Sequence, residues 1–482
     1  MNRKTHPNNA GSFQLRLIKY VHFLVTVGIF TFFWLQFHYP SRNWQLTRAF
    51  RYDIFVPIVY GFLLIWFNST FNSYTLGYFW AQSLAYSQFL SEFFSVLLVY
   101  VIVSLAWFQL HSPLIFLPML MIQAVWDVLW SSFATYYYYK IVQQYRTVVI
   151  YRSQNDLLRF GSISGKPIEC LFKDEKYIQF NGTDFFEIKD QLEGYDAIFV
   201  AGVNPTLMNA LCKYCAEENV RGFFLPHIGD VILSGAEHIK SFTTPVLSVR
   251  RATKRFEYLA IKRLFDIVAS GLGLIVLSPI MLLTAILIKA YDGGPVFYRQ
   301  VRLTKDGKEF KIIKFRSMRV DAEKDGVARL STGDKDPRIT PVGRFIRACR
   351  LDELPQLINI FMGDMSVVGP RPERPEIAKE YETVLPDFKL RLQVKAGLTG
   401  YAQVYGKYNT NPYEKLEFDL LYINQMNLLT DLELMFNTFR ILFSKESTEG
   451  VEDLKGWVAE EECVPADGER EQSEERETIS AK

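Results

Sequence analysis

The stretch Arg347-Ala348-Cys349-Arg350-Leu351-Asp352-Glu353-Leu354-Pro355-Gln356 is followed by Gly363-Asp364-Met365-Ser366 and Gly369-Pro370-Arg371-Pro372. Together they set an acidic pair among arginines and helix-breaking prolines. Upstream, the apolar segment Leu264 to Ile288 is interrupted by Ser278-Pro279. Concentrated charge chemistry and a membrane segment therefore belong to one part of the chain. No histidine occurs after His238, which excludes a histidine base, a Ser-His triad and a histidine-ligated metal from that part. Carboxylates must do whatever chemistry is done there.

At 482 residues the chain is too long for one ordinary domain, and its 39 Phe and 26 Tyr suit membrane spans joined to soluble domains. From Glu446 onward, 13 acidic residues face 4 basic ones. The body is therefore basic and the tail acidic. A basic body suits anionic partners such as phospholipid head groups, a nucleotide sugar or a lipid phosphate. Nucleic acid is not expected, because its recognition motifs are missing. The five cysteines (Cys170, Cys212, Cys215, Cys349, Cys463) are odd in number and scattered, which fits reduced thiols in a cytosolic compartment. Cys212-Lys213-Tyr214-Cys215 has no second pair and no nearby histidine, so it reads as helix surface and core rather than a metal site.

Four long apolar runs come first, about Leu17 to Phe37, Ile54 to Phe71, Phe89 to Leu110 and Leu114 to Tyr139. Each is near the ~20 residues of a spanning helix. No small-residue cleavage site follows the first, which reads as an anchor. Arg3, Lys4, Arg16 and Lys19 precede the first run, and Lys140, Arg146 and Arg152 follow the fourth, so both ends of the set are expected in the cytoplasm. The loop with Arg42, Arg48 and Arg51 argues the other way. Tyr136 to Tyr139 read as an interfacial belt. The fifth segment has basic flanks on both sides, Lys262 and Arg263 before it and Lys289 after it. Pro279 supplies a break, since it lacks an N–H and obstructs a straight helix. The expectation is a re-entrant helix over 264–290; a kinked spanning helix is the alternative.

Between these parts, short β-branched runs at Val148 to Tyr151 and Ala197 to Val200 alternate with helix-like stretches such as Pro205 to Asn219. This reads as a small α/β domain. Arg152-Ser153-Gln154-Asn155 stands where a dinucleotide fingerprint would follow the first strand, and Gly161 to Lys166 is one residue short of a phosphate loop. The domain is expected to be structural or oligomerising.

The quoted stretch resembles the bacterial sugar transferases that move a hexose-1-phosphate from a nucleotide sugar onto polyprenyl phosphate. All five letters of that family's catalytic block Asp-Glu-Leu-Pro-Gln stand at 352 to 356, and the likeness runs from about Lys262 to Gly450. The resemblance implies that Asp352 attacks the sugar-bearing phosphate and expels UMP, and that Glu353, with Asp352, holds Mg²⁺. An Asp can form an acyl phosphate, and Mg²⁺ is a hard cation that bridges diphosphate oxygens. It implies Arg347 as ligand of the lipid phosphate and Arg371 near the nucleotide, with Arg338 a further substrate-binding arginine. Lys314 and Arg316, expected on one face of the strand Phe310 to Arg316, match a basic pair of the family. Asp419 falls on an acidic position near its site. Lys395 to Gln403 resembles its glycine-rich loop, with Ala396 where proline is usual. In larger members a Rossmann-like module fills the middle, and a helix broken at Ser278-Pro279 is re-entrant.

The expected architecture is a membrane protein with four transmembrane helices at 1–145, a small α/β Rossmann-like domain at 146–250, a mainly α catalytic domain at 255–450 and an acidic disordered tail at 451–482. The expected activity is transfer of a hexose-1-phosphate from a UDP-hexose to undecaprenyl phosphate, glucose or galactose being favoured, at a bacterial inner membrane with the catalytic domain cytoplasmic. It would initiate assembly of a capsule, exopolysaccharide or O-antigen repeat. Membrane lipids and a second copy in a homodimer are the further partners. A membrane-bound nucleotide-sugar dehydratase or epimerase would need a glycine fingerprint and a Tyr-x-x-x-Lys, whose one match, Tyr136 to Lys140, lies at the end of an apolar run. A non-enzymatic export scaffold would not need Asp352.

Overall fold

A computed structural model describes residues 9–38, 46–108, 112–141, 144–157, 172–239, 246–249, 251, 256–320, 322, 336–406 and 411–442. The near-miss phosphate loop at Gly161 to Lys166 and the acidic tail lie outside the described residues. The chain divides into two compact units, Met1–Asp230 and Val231–Lys482.

The first unit begins with α1 (Asn9–His38), α2 (Leu46–Thr70), α3 (Ala81–Trp107) and α4 (Leu117–Ile141). Each packs on the next, and α4 closes on α1. Phe30, Tyr60, Leu64, Val96, Val99 and Met119 fill the interior, while Phe62, Leu105 and Val125 point outward and stay exposed, as lipid-facing side chains do. By length and apolarity α1, α3 and α4 could each cross a membrane. Within α2 the stretch Ile54–Thr70 is a shorter apolar helix.

Next come β1 (Tyr145–Tyr151), β2 (Phe172–Gln179), α5 (Phe186–Leu192), β3 (Ala197–Ala201), α6 (Pro205–Glu217) and β4 (Arg221–Phe224). The strands form one parallel sheet in the order β2-β1-β3-β4. Val148, Val149 and Ile150 are fully buried, as a central parallel strand covered on both faces requires. α5 and α6 supply Ile188, Leu192, Leu207 and Leu211 to one face. Asn204 caps α6 by accepting from Leu207 N–H at 2.8 Å, with Pro205 at its first position. The other face packs Phe172, Phe199 and Phe223 against Tyr138 and Tyr139 of α4. The tyrosine run is thus split: Tyr136 stays exposed, and two of its neighbours mortar the sheet to the helix. Past the ends of β1 and β3, Asp156 accepts from the N–H and hydroxyl of Ser153 at 2.9 and 2.7 Å. Gly202, at φ 68°, makes room for that carboxylate, so an acid occupies the crevice where a parallel sheet of this kind would take a phosphate. Cys215 joins the domain core, and Cys212 is exposed.

The second unit has a small hairpin, β5 (Glu237–Ile239) with β6 (Val246–Ser248), and then one long helix, α7 (Phe256–Asp292). α7 is helical through Ser278-Pro279 and spans 37 residues, or about 55 Å at 1.5 Å per residue. Its two ends dock on the same folded body. Near the start, Arg263 donates to the carbonyls of Ile360 and Phe361 at 2.7 and 2.8 Å, and Asp266 accepts from Ser366 Oγ and Val367 N at 3.1 and 2.9 Å. Near the finish, Met281, Ala285 and Ile288 pack on Phe315 and Ile346. The opposite side, Leu264, Val268, Leu272, Ile275, Leu282 and Ile286, is an exposed apolar seam at helical spacing.

The remaining elements are the antiparallel pair β7 (Phe297–Leu303) and β8 (Glu309–Phe315), α8 (Pro341–Ala348), a 3₁₀ turn at Leu351–Glu353, α9 (Gln356–Met362), β9 (Ser366–Val368), α10 (Pro375–Val384) and a 3₁₀ segment at Pro386–Gln393. Then follow β10 (Gly397–Thr399), α11 (Tyr401–Val404), α12 (Pro412–Gln425) and α13 (Leu428–Leu442). β9 and β10 pair in parallel, and the Gly369 and Gly397 backbones touch so closely that a side chain at Gly397 would overlap main chain.

Candidate active site

Thr340 caps α8 by accepting from Gly343 N–H at 2.8 Å. The helix ends at Cys349, and Arg350 adopts a left-handed backbone at φ 51°, a conformation disfavoured by about 1 kcal/mol or more for a residue with a Cβ. That reversal throws Asp352 and Glu353 onto the 3₁₀ turn, ahead of Pro355 and α9. Asn359 of α9 grips β8, accepting from Ile313 N–H at 2.9 Å and donating to the Lys311 carbonyl at 2.9 Å. This sets Lys314 over the acidic turn.

Lys314 Nζ and Arg371 Nη2 both donate to Glu353 Oε1, at 3.3 and 3.1 Å, and Arg350 Nη1 lies 3.9 Å from Oε2. Burial alone would raise Glu353, but Lys314, Arg371 and Arg350 outweigh it and hold the carboxyl well below its ordinary range. Asp352 goes the other way. Burial, then the Glu353 charge, push it up to about 6 against the pull of Lys314, Arg347 and Arg371. Its carboxylate has no hydrogen-bond partner among the described residues. Arg347 Nη1 is likewise buried without one. Two carboxylates among four cations (Lys314, Arg347, Arg350, Arg371) leave a local charge of +2, suited to a diphosphate. Adjacent hard oxygens with one carboxylate uncommitted also fit Mg²⁺, which takes one or two carboxylates and completes its shell with phosphate and water.

Arg371 is supported from behind. Its carbonyl accepts from Arg391 Nη2 at 2.9 Å, and Arg391 pairs with Asp419 at 2.8 Å and with Glu373 at 3.6 Å. The Pro372 carbonyl accepts from the half-buried Arg302 at 3.1 Å. Asp419 is fully buried behind Arg391, so it shapes the arginine run instead of facing a ligand. Burial pushes its carboxyl up to about 6 against Arg391. Arg316 departs from expectation. The strand ends at Phe315, alternation stops there, and Arg316 turns to a bidentate pair with Asp292 at the end of α7. Arg338 is bound by Asp336, its Nη2 at 2.7 Å. Lys314, Arg347, Arg371, Asp352 and Glu353 thus converge, whereas Arg316, Arg338 and Asp419 are engaged by other side chains. Arg350 and Arg391 were not foreseen. Arg350 stands i−3 from Glu353 in the quoted run and was legible there; nothing local marks Arg391. Ala396 donates its N–H to Thr304 Oγ1 at 3.2 Å, a tether that proline could not make.

An acyl- or phosphoryl-transfer centre built on carboxylates and arginines, beside an apolar helix, is the class that this arrangement defines. The family model described as bacterial sugar transferase matches residues 257–445. The "UDP-glucose:undecaprenyl-phosphate glucose-1-phosphate transferase" of Klebsiella pneumoniae is 44% identical over 248 residues, 50% of this chain and 51% of the relative. Its namesake in Escherichia coli K12 is 38% identical over 237 residues, covering 48% and 49%. The "Exopolysaccharide production protein PSS" of Rhizobium leguminosarum is 39% identical over 189 residues, 37% of this chain and 94% of the relative. The chain belongs to the bacterial sugar transferase family. It spans about half the length of the first two relatives.

Proposed function

We propose that the protein transfers a hexose-1-phosphate from a UDP-sugar to undecaprenyl phosphate and releases UMP, initiating a capsule, exopolysaccharide or O-antigen repeat. The observation that carries this reading is the converging set of Asp352, Glu353, Lys314, Arg347 and Arg371, within the matched family region. An Asp352 carboxylate oxygen attacks the sugar-bearing phosphorus, the phosphoanhydride bond to UMP breaks, and UMP leaves with the electron pair. An oxygen of the lipid phosphate then attacks the same phosphorus, the bond to Asp352 breaks, and the diphosphate-linked lipid sugar departs. One phosphoanhydride replaces another, so no external energy source enters. Lys314 and Arg371 fix Glu353, which with Asp352 would hold Mg²⁺; the ion would neutralise charge on the diphosphate and on the leaving UMP. Arg347, with its buried unsatisfied donor, is suited to the incoming lipid phosphate.

The hexose is glucose or galactose in this proposal. Relatives are named for glucose, galactose and N-acetylgalactosamine, so a panel of UDP-sugars is the assay of choice. The docking of both ends of α7 on one body favours a re-entrant helix with the active site on the cytoplasmic face of an inner membrane. The order β2-β1-β3-β4 favours a Rossmann-like middle domain without a bound dinucleotide, given Asp156 in the crevice. In the test, Asp352→Asn keeps shape while removing the anionic nucleophile. UMP release in nanodiscs should fall by several orders of magnitude with folding intact. Near-normal turnover would refute the assignment.

A further inference from the structure

Deep in the four-helix bundle lie three ionisable groups that the proposed chemistry does not use. His22 of α1, Glu92 of α3 and Asp127 of α4 are at most 1% exposed, and one ligand atom from each falls within 4.8 Å of the others. His22 Nε2 sits 3.1 Å from Asp127 Oδ1, while Nδ1 is 3.0 Å from the Tyr74 hydroxyl. The Glu92 carboxyl lies within hydrogen-bonding range of both the Asp127 carboxyl and the Thr26 hydroxyl, yet no buried donor is aligned on Glu92 Oε1, Glu92 Oε2 or Asp127 Oδ2. Among the described residues no lysine or arginine pairs with either acid.

We propose that this cluster is a divalent-metal site of zinc class, tying α1, α3 and α4 together through His22, Glu92 and Asp127. Two adjacent carboxylates inside an apolar bundle are costly, and one divalent cation with a neutral imidazole brings the local charge to zero. The ligand types are those zinc accepts, and an edge of 3.1 Å is near the about 3.3 Å separating two donors on a tetrahedral ion with bonds of about 2.0 to 2.1 Å. Tyr74 gives the imidazole the outer partner usual for a metal-bound histidine: Nδ1–H donates to the hydroxyl, leaving the Nε2 lone pair for the ion. A simple hydrogen-bonded His-Asp pair would satisfy His22 equally well. It would leave Glu92, on a separate helix, as a second carboxyl side by side with Asp127 in an apolar interior, satisfied only if a proton stays between the two. A divalent cation held by all three side chains neutralises both carboxyls at once.

The test uses the full chain in nanodiscs, carrying Asp352→Asn and Glu353→Gln so that the catalytic carboxylates cannot hold the ion. Protein stripped by a chelator is reloaded with Zn²⁺ and dialysed, the metal content is measured, and thermal unfolding is followed by tryptophan fluorescence. Trp130, whose ring centroid lies 4.4 Å from that of His22, is one of the eight tryptophans that report. About one zinc per chain is expected, with a rise in unfolding temperature that grows with zinc concentration. Glu92→Gln should abolish both binding and rise, and Tyr74→Phe should weaken binding about tenfold. Protein that retains no zinc and unfolds at the same temperature with and without it would overturn the proposal, leaving protons as the groups that neutralise the acids. Zinc bound undiminished in Glu92→Gln would overturn it as well. The stoichiometry of the parent protein keeps the test decisive even if a variant fails to fold.

Discussion

The opposite environments of the two catalytic carboxylates make a prediction about pH. Asp352 is pushed up to about 6 by burial and by Glu353, while Lys314, Arg347 and Arg371 oppose the rise. An acid whose value is raised loses its ionised, nucleophilic form as pH falls through that value. The carboxylate fraction should go from about 0.9 at pH 7 to about 0.1 at pH 5, roughly a tenfold change. Glu353, held far lower, stays ionised throughout. The assay must avoid the lipid phosphate, which itself titrates near pH 6. The first half-reaction alone serves: rapid-mix release of UMP from a UDP-sugar without acceptor, one equivalent per enzyme, in nanodiscs. Its rate should fall about tenfold between pH 7 and pH 5 with a midpoint near 6. In Lys314→Gln one opposing cation is gone, so the midpoint should move upward by a measurable fraction of a unit or more. A flat profile between pH 5 and 7, or a midpoint that moves downward in Lys314→Gln, would refute the reasoning.

Three further outcomes are expected. EDTA should stop UMP release and Mg²⁺ restore it, with Glu353→Gln raising the Mg²⁺ requirement sharply; full activity in metal-free buffer would exclude the metal. Asp419→Asn should cost about 3 kcal/mol of stability, the low end for a broken buried pair because Glu373 still faces Arg391, and should raise KM for the UDP-sugar more than it lowers kcat; an unchanged unfolding temperature would contradict this. In a cysteine-free background, Glu257→Cys and Tyr291→Cys should both react only with a reagent applied from the cytoplasmic side, and labelling of the second from outside would mean that α7 spans.

What could be read from the sequence follows the range of the interactions involved. The acidic turn, its arginines and the missing histidines are local, and Lys314, Arg347 and Arg371 do gather around Asp352-Glu353. Apolar runs marked the long helices and β-branched runs a small α/β domain, since periodicity and length report burial directly, while the parallel strand order came only with the fold. Arg316 was misread because alternation holds only while a strand lasts, and β8 stops one residue earlier. Asp419 was misjudged because its partner, Arg391, is 28 positions away and carries no signal of its own. The Ala396 tether shows the same limit: the missing proline suggested a looser loop, and only the fold brings the Thr304 hydroxyl to the freed N–H.

The long helix α7 links membrane depth to this chemistry. Ile288, near its end, packs on Ile346, the residue next to Arg347, and Asp292 holds Arg316 just past the strand that carries Lys314. Two of the cations around Asp352 are therefore fixed through one helix end, while Arg263 and Asp266 fix the other end to α9 and β9, which flank the Asp352 turn and the Arg371 run. The opposite side of α7 is an apolar seam interrupted only briefly, at the exposed Ser278, and lipid would hold such a seam at one depth. Under the proposed function a lipid phosphate and a water-soluble nucleotide sugar must reach one carboxylate, and such a carboxylate has to sit at the level of the head groups. A helix clamped to the active-site body at both ends transmits any change in its depth to Arg347 and Lys314 together. Pro279 lies between the two clamps, so Pro279→Ala, by favouring a straighter helix, should disturb the register of both ends while leaving every ligand of Glu353 chemically intact.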